Sequence, residues 1–145
     1  MFEIKNIVFD EMHLSVVFQD GTVFRRALKR YSQFIEAYAS ARQKWKLNEL
    51  QDTIVWSDLG ATGVQIDLYD LVWEDVCNHA LGILQTHGWD VEKITPKNYE
   101  IVALWRLEAD GYNGGFLQVF CNWGDGNCQT ALSALQTIGA QATYD

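Results

Sequence analysis

Residues 63–84 read GVQIDLYDLVWEDVCNHALGIL, and the hydrophobic pattern of the chain changes within this stretch. Its first four residues resemble a short buried strand. Beyond them, apolar side chains recur at helical spacing, at Leu68, Val72, Val76, Ala80 and Leu84. Asp67 stands between the two patterns and suits a helix N-cap, because its carboxylate can accept a hydrogen bond from a free backbone N–H group. We therefore predict a small α+β domain over residues 1–66 and a helical domain over residues 67–145.

Three strands are predicted to open the first domain, over residues 2–9, 13–19 and 22–28. The middle segment alternates cleanly, with Leu14, Val16 and Phe18 on one face. Asp20–Gly21 follows it, and this dipeptide predicts a hairpin turn because glycine adopts a positive φ without strain. A further strand is expected over residues 53–56, after a helix.

Five helices are predicted in all. The first covers residues 32–46, with an apolar stripe of Phe34, Tyr38, Ala41 and Trp45. The second follows Asp67, and the third starts at Thr95–Pro96 and ends near Glu108. The last two begin near Gly114 and near Gln129, and Gly139 suits the final C-terminal cap. The predicted fold class is α+β, with a small unit of β-hairpin, helix and strand packed on a C-terminal all-helical unit.

The glycine-containing stretch at residues 110–124, DGYNGGFLQVFCNWG, raises the question of a ligand loop. A phosphate-binding loop needs a lysine after its last glycine, and none is present. A dinucleotide-binding loop follows a strand, whereas a helix is predicted here. A calcium loop that started at Asp110 would place Cys121 where the bidentate glutamate belongs. No ligand loop is therefore predicted.

A packed corner between two helices fits the same stretch better. Asn113 can cap the second helix, and Gly114 and Gly115 allow a close approach of the first. The side chains of Phe116, Val119, Phe120 and Trp123 would then form a buried stripe. Gln118 and Asn122 fall on the remaining face, where we expect hydrogen bonds to backbone groups at the turns.

Charge is distributed unevenly along the chain. There are 19 acidic and 11 basic residues, but no lysine or arginine lies between Leu47 and Glu92, where nine carboxylates lie. Direct binding to nucleic acid is not expected, because phosphates would be repelled over most of the molecule. On the helix after Asp67, the carboxylates of Asp67, Asp70 and Glu74 share one face, Asp75 flanks them, and Asp58 precedes them. These carboxylates are either a solvated face whose negative charge interacts favourably with the helix dipole, or a row that imitates the phosphates of DNA.

No residues suggest catalysis or metal binding. Cys77 and His79 fall on different sides of a helix, and Cys121 and Cys128 lack the spacing of a zinc site. We expect no catalytic residue, metal or cofactor. The chain has no apolar run long enough to span a membrane, and Glu3, Asp10 and Glu11 interrupt any apolar signal core. With three cysteines lacking close pairing, these features favour the cytoplasm.

A resemblance to a known family rests on residues 94–140, ITPKNYEIVALWRLEADGYNGGFLQVFCNWGDGNCQTALSALQTIGA. This segment resembles a bacterial helical family that includes a DNA-mimic protein, through the Asn-Gly-Gly-Phe-x-Gln-x-Phe-x-Asn pattern of Asn113 to Asn122 and the later Ile138, Gly139 and Ala140. The resemblance implies a helical domain and, for some members, binding to a DNA-binding regulator. In the family this domain continues further, so residues 67–145 are expected to be a shortened form or to be completed by another chain.

Residues 4–66 more weakly resemble a small bacterial domain of unknown function. The similar residues are Asp20 and Gly21 in the hairpin, Tyr31 before the helix, and Trp56 in a late strand. This resemblance adds an expectation of fold and none of activity.

The function predicted from the sequence is therefore non-enzymatic inhibition of a basic, nucleic-acid-binding protein. Either a DNA-mimic regulator or a phage-type inhibitor of a defence nuclease fits it, as a monomer or homodimer. The partner-binding residues would be Asp58, Asp67, Asp70, Glu74 and Asp75. An immunity or scaffold protein that binds through apolar surface, such as Trp89, is the first alternative. An enzyme with a site between the two units, using His79 or His87, is the second.

Overall fold

A computed structural model describes residues 2–140 of the chain and has the α+β fold class that the sequence predicts. The strands and helices are, in order, β1 (Ile4–Phe9), β2 (His13–Phe18), β3 (Val23–Ala27), α1 (Ser32–Glu36), α2 (Ala39–Arg42), β4 (Lys46–Leu47), β5 (Thr53–Trp56), β6 (Val64–Asp67), α3 (Leu68–Thr86) and α4 (Pro96–Thr137). Short 3-10 turns lie at Leu28–Arg30 and Val91–Lys93. One unit ends at Asp75 and the second begins at Val76, within α3. The division into domains 1–66 and 67–145 stays a prediction.

The first sheet is an antiparallel meander in the order β1-β2-β3. Its second hairpin closes as predicted: the Phe18 N–H donates to the Thr22 carbonyl at 2.9 Å, and Gly21 has φ of 87°. Along β2 the side chains alternate between buried and half-buried. Leu14, Val16 and Phe18 point into the core as the sequence pattern predicts.

The second sheet has the order β4-β5-β6, and its middle strand carries the largest fully buried side chain. Trp56 is 1% exposed, and its indole N–H donates to the Arg42 carbonyl at 2.9 Å. Its ring meets that of Phe34 edge-on, with centroids 4.8 Å apart. This indole therefore joins α1, α2 and β5 into the core of the first unit, because burying a tryptophan requires a partner for its N–H group.

The single helix predicted over residues 32–46 is wrong. Helix α1 stops at Glu36, because Ala37 and Tyr38 are extended, with ψ of 143° and 151°. Tyr38, expected on the apolar stripe, is 85% exposed. Lys46 belongs to strand β4, where it pairs with Val55. Side chains that bond to backbone carbonyls in this segment, from Arg42 to Phe34 and from Trp56 to Arg42, thus outweigh the helical spacing of the apolar residues.

The predicted helix starts at Asp67 and at Thr95–Pro96 are confirmed. The Asp67 carboxylate accepts a hydrogen bond from the Asp70 N–H at 2.9 Å at the start of α3. The Thr95 hydroxyl accepts one from the Asn98 N–H at 3.3 Å, and Pro96 is the first residue of α4. These bonds satisfy N–H groups that have no partner within their own helix.

Helix α4 runs from Pro96 to Thr137 with two breaks. The first break lies beside the boundary predicted near Gly114, whereas the helix predicted to end near Glu108 continues to that break, and Gln129 lies inside the last helical part. At the breaks, Gly115 and Gly124 have φ of 70° and 76° with nearly fully extended ψ, a conformation almost confined to glycine. Asn113 is therefore inside a helix, where its side-chain amide donates to the Ala109 carbonyl at 2.7 Å, and its prediction as an N-cap is wrong.

The C-terminal cap of α4 is confirmed. Gly139 has φ of 77°, and its N–H donates to the Gln136 carbonyl at 3.1 Å. The Ala140 N–H donates to the Leu135 carbonyl at 2.9 Å. These two bonds make a Schellman motif, which explains why a glycine stands at this position.

Candidate protein-binding surfaces

Two of the five predicted acidic residues are exposed in the first unit. Asp58 lies in the connection between β5 and β6, and Asp70 lies in the first turn of α3. Asp67 is half-buried and caps α3 through the bond to Asp70. Asp70 also lies where the helix dipole favours negative charge. Asp67 and Asp70 thus each have a local structural reason to be present.

Glu74 is compensated by two arginines, so the expectation of a carboxylate row without neighbouring cations is wrong at this residue. Arg26 Nη2 lies 2.9 Å from Glu74 Oε2, and Arg30 Nη1 contacts both carboxylate oxygens. The Arg26 side chain is only 9% exposed. A buried guanidinium needs a carboxylate partner, and the acidic helix supplies one. The basic segment after Val23 and the acidic start of α3 are therefore paired with each other.

Asp75 also makes a bond within the first unit. Its Oδ1 accepts a hydrogen bond from the backbone N–H of Arg25 at 3.1 Å, which anchors α3 to strand β3. Of the five predicted residues, Glu74 and Asp75 thus contact β3, while Asp58 and Asp70 are the most exposed. A role of the five in partner binding stays a prediction.

The segment from Asn113 to Asn122 is organised around a carboxylate that the sequence analysis missed. Asp110 accepts side-chain hydrogen bonds from Gln118 at 3.3 Å, Asn122 at 2.9 Å and Trp123 at 2.7 Å. The bonds from Asn122 and Trp123 lower the pKa of Asp110 most. Gln118 and Asn122 therefore bind a side chain, and the prediction that they bind backbone is wrong. No spacing rule reveals this contact, because the break at Gly115 lies between donors and acceptor.

A buried arginine continues this network. The guanidinium of Arg106 lies 4.0 Å from the centroid of the Trp123 ring, and its Nη1 donates to Asn127 at 3.1 Å. Arg106 and Asn127 are 8% and 1% exposed. Arg106, bonded to Asn127, thus contacts the ring face of Trp123, while Asp110 accepts a hydrogen bond from its indole N–H group. The network joins the three parts of α4 across both glycine breaks.

The predicted buried stripe is wrong at three of its four residues. Val119 is fully buried, but Phe116, Phe120 and Trp123 are 61%, 51% and 41% exposed. Leu117 is 74% exposed beside them. We call Phe116, Leu117, Phe120 and Trp123 the aromatic face. Exposed apolar side chains that are neighbours on one helical segment are typical of binding surfaces.

Gly114 is close to a side chain rather than to a second helix, contrary to the prediction. A Cβ atom built on Gly114 would overlap the side-chain oxygen of Gln118. A Cβ on Gly115 would meet nothing within 4 Å, so only its positive φ requires glycine. The two adjacent glycines therefore have different physical causes, one steric and one conformational.

Three residues considered for catalysis, Cys77, His79 and His87, lie on helix α3 or directly after it. Cys77 is buried, and burial, helped by the charge of Glu108, raises the pKa of its thiol to about 12. His87 Nδ1 lies 2.9 Å from the Ile83 carbonyl at the end of α3, and His79 is exposed. Within residues 2–140, no group of His, Cys, Asp and Glu has the arrangement of a metal site. The enzyme alternative stays a hypothesis.

Comparisons with known proteins concern the second unit. A family model described as DMP19-like protein matches residues 92–145, a segment that contains the network around Asp110. The chain is similar to that family over this segment. No curated protein and no solved structure matches the chain. In the part of the chain that the structure describes, no helix is both long and apolar enough to cross a membrane.

Proposed function

We propose that the chain is a non-enzymatic acidic protein that docks on a basic, nucleic-acid-binding protein and covers its nucleic-acid site. The observation that carries this proposal is the similarity of residues 92–145 to DMP19-like proteins. The same segment carries the motif by which the chain resembles a family that includes a DNA mimic. A partner of the stated kind would be a transcription regulator or a nuclease.

The charge of the chain supports the same kind of partner. From Val76 onward there are seven carboxylates and three basic residues, and the whole chain has a net charge of −8. A protein of this charge is attracted to a positively charged surface, and the attraction accelerates association and weakens with salt. In the first unit, the carboxylates offered to the partner are Asp58, Asp67 and Asp70. Glu74 contributes less, because Arg26 and Arg30 neutralise it.

Affinity capture from the native host, with the full chain as bait, tests the proposal. We expect a basic nucleic-acid-binding protein to be retained at low salt and to be released by high salt or by added duplex DNA. The bait carrying Asp58→Lys and Asp70→Lys should retain less of it, and Glu11→Lys is the matched control on an exposed carboxylate. Capture that resists both salt and DNA would contradict the proposal.

A second candidate function is an immunity or scaffold protein that binds through apolar side chains. The exposure of the aromatic face favours it, as does Trp89, which is 57% exposed. Large exposed aromatic side chains frequently carry most of the binding energy of an interface. In that case capture would survive high salt and would be lost with Phe116→Ser and Phe120→Ser, while the charge reversals would have little effect.

A further inference from the structure

A groove of about 350 Å³ lies in the first unit, at the end of the first sheet where β2 turns into β3. Its lining includes three phenylalanine rings and two carboxylates, which are Phe2, Phe18, Phe24, Glu3 and Asp20. The described residues that line it include no lysine or arginine. The groove thus combines aromatic rings with two negative charges, and none of its described lining residues has a basic side chain that would neutralise them.

The rings support one another. The Phe18 centroid lies 5.7 Å from those of both Phe2 and Phe24, and Phe2 meets Tyr69 edge-on at 4.9 Å. Phe18 is 5% exposed and Phe2 and Phe24 are half-buried, so one ring is held in the core and two are accessible beside it. Aromatic rings attract cations through the negative charge density on their faces.

The Asp20 carboxylate is held by the turn, and the backbone of Glu3 is fixed beside it. Asp20 Oδ1 accepts hydrogen bonds from the backbone N–H and the hydroxyl of Thr22, at 2.9 and 2.7 Å. These bonds lower the pKa of Asp20, so its carboxylate stays charged at neutral pH. The Glu3 carbonyl accepts a hydrogen bond from the Gln19 N–H at 2.9 Å, which fixes β1 beside the turn.

We propose that this groove binds the guanidinium group of an arginine side chain on the partner, with its plane against the phenylalanine rings and its N–H groups toward Glu3 and Asp20. Arginine fits better than lysine, because its planar group stacks on aromatic rings and forms paired hydrogen bonds with carboxylates. The inference rests on the proposed function for the identity of the partner, since proteins that bind nucleic acid are rich in arginine. The site itself depends only on the residues of the groove.

A titration of the isolated protein with N-acetyl-arginine methylamide, followed by amide NMR shifts, tests the site. We expect saturable shifts at Gly21, Thr22 and Phe24. The neutral isostere N-acetyl-citrulline methylamide should leave these amides unchanged. The double variant Glu3→Gln and Asp20→Asn should weaken binding about fivefold. Asn keeps the oxygen that accepts the Thr22 N–H, so the turn is retained.

Glu36→Gln, which removes an exposed carboxylate away from the groove, is the matched control and should bind as the parent does. Equal shifts with the citrulline probe, or unchanged binding by the double variant, would overturn the proposal. So would shifts spread over the acidic surface without saturation. The titration uses the isolated protein without a partner, so a negative result would not contradict the proposed function, which the capture experiment tests separately. Success here with no basic protein captured would instead refute the proposed function alone.

Discussion

The indole N–H of Trp123 donates to the carboxylate of Asp110 at 2.7 Å, although a glycine break at Gly115 separates the two residues along α4. Gln118 and Asn122 donate to the same carboxylate. Three donors from one segment thus meet one acceptor from the preceding segment. This carboxylate fixes the angle at which α4 resumes after the break.

Replacing Asp110 with Asn should lower the melting temperature by a few degrees. The amide has one accepting oxygen instead of two, and its NH2 group cannot accept the hydrogen bonds that Gln118, Asn122 and Trp123 donate. Glu92→Gln, at an exposed carboxylate outside the network, is the matched control and should leave the melting temperature unchanged. Thermal unfolding followed by circular dichroism measures both. Equal melting temperatures for the two variants would show that the network contributes nothing to stability.

The same carboxylate should make stability depend on acid. Its pKa is lowered in the folded protein from the ordinary value of 3.8, so its contribution is complete above that pH and is lost as pH falls through the folded pKa. We expect the free energy of unfolding of the parent to fall more steeply below pH 3.8 than that of the Asp110→Asn variant. Denaturant titrations at a series of pH values give the comparison, and parallel pH curves would refute it.

Glu74→Gln should destabilise the protein by about 1–3 kcal/mol, because it leaves the nearly buried Arg26 guanidinium without a charged partner. Asp58→Asn, at an exposed carboxylate, should change stability by no more than about 0.5 kcal/mol. Chemical denaturation provides the measurement. If both variants unfolded at the same denaturant concentration, the ion pair would be a surface contact without energetic weight.

Gly115→Ala should cost about 1–3 kcal/mol, because alanine is strained at φ of 70° and ψ of −169°. No atom lies within 4 Å of the added Cβ, so backbone strain is the whole cause. Gly111→Ala is the matched control, since it also adds a Cβ in open space but keeps an ordinary φ. It should be neutral or stabilise α4 by up to about 1 kcal/mol. A neutral Gly115→Ala would place the break elsewhere.

Val119→Ala should destabilise the protein by about 1–3 kcal/mol, because the methyl groups it removes are fully buried. Its neighbour Phe120 is half exposed, and Phe120→Ser should have a much smaller effect on stability. Denaturation of the two variants side by side measures the contrast. A larger loss for Phe120→Ser would mean that the aromatic face is packed rather than exposed.

Sequence patterns predicted strands β1, β2, β3, β5 and β6, the helix starts at Asp67 and Thr95, and the C-terminal cap, because each depends on neighbouring residues. Asp67, Thr95 and Gly139 act on backbone groups a few residues away. The pattern failed where distant contacts determine the backbone. Tyr38 has helical spacing in the sequence, but its backbone is extended in the structure, directly before α2. The pairing of Glu74 with Arg26 and Arg30 depends on the fold and could not be predicted from the sequence.

The ion pair between Arg26 and Glu74 links two positions that are far apart in the chain, and it therefore constrains how relatives of this protein can diverge. A lineage that lost the carboxylate at position 74 would leave an enclosed cation, and the change would persist only if position 26 became neutral as well. The two positions are expected to vary jointly, while Asp58 and Asp70 remain free to drift independently.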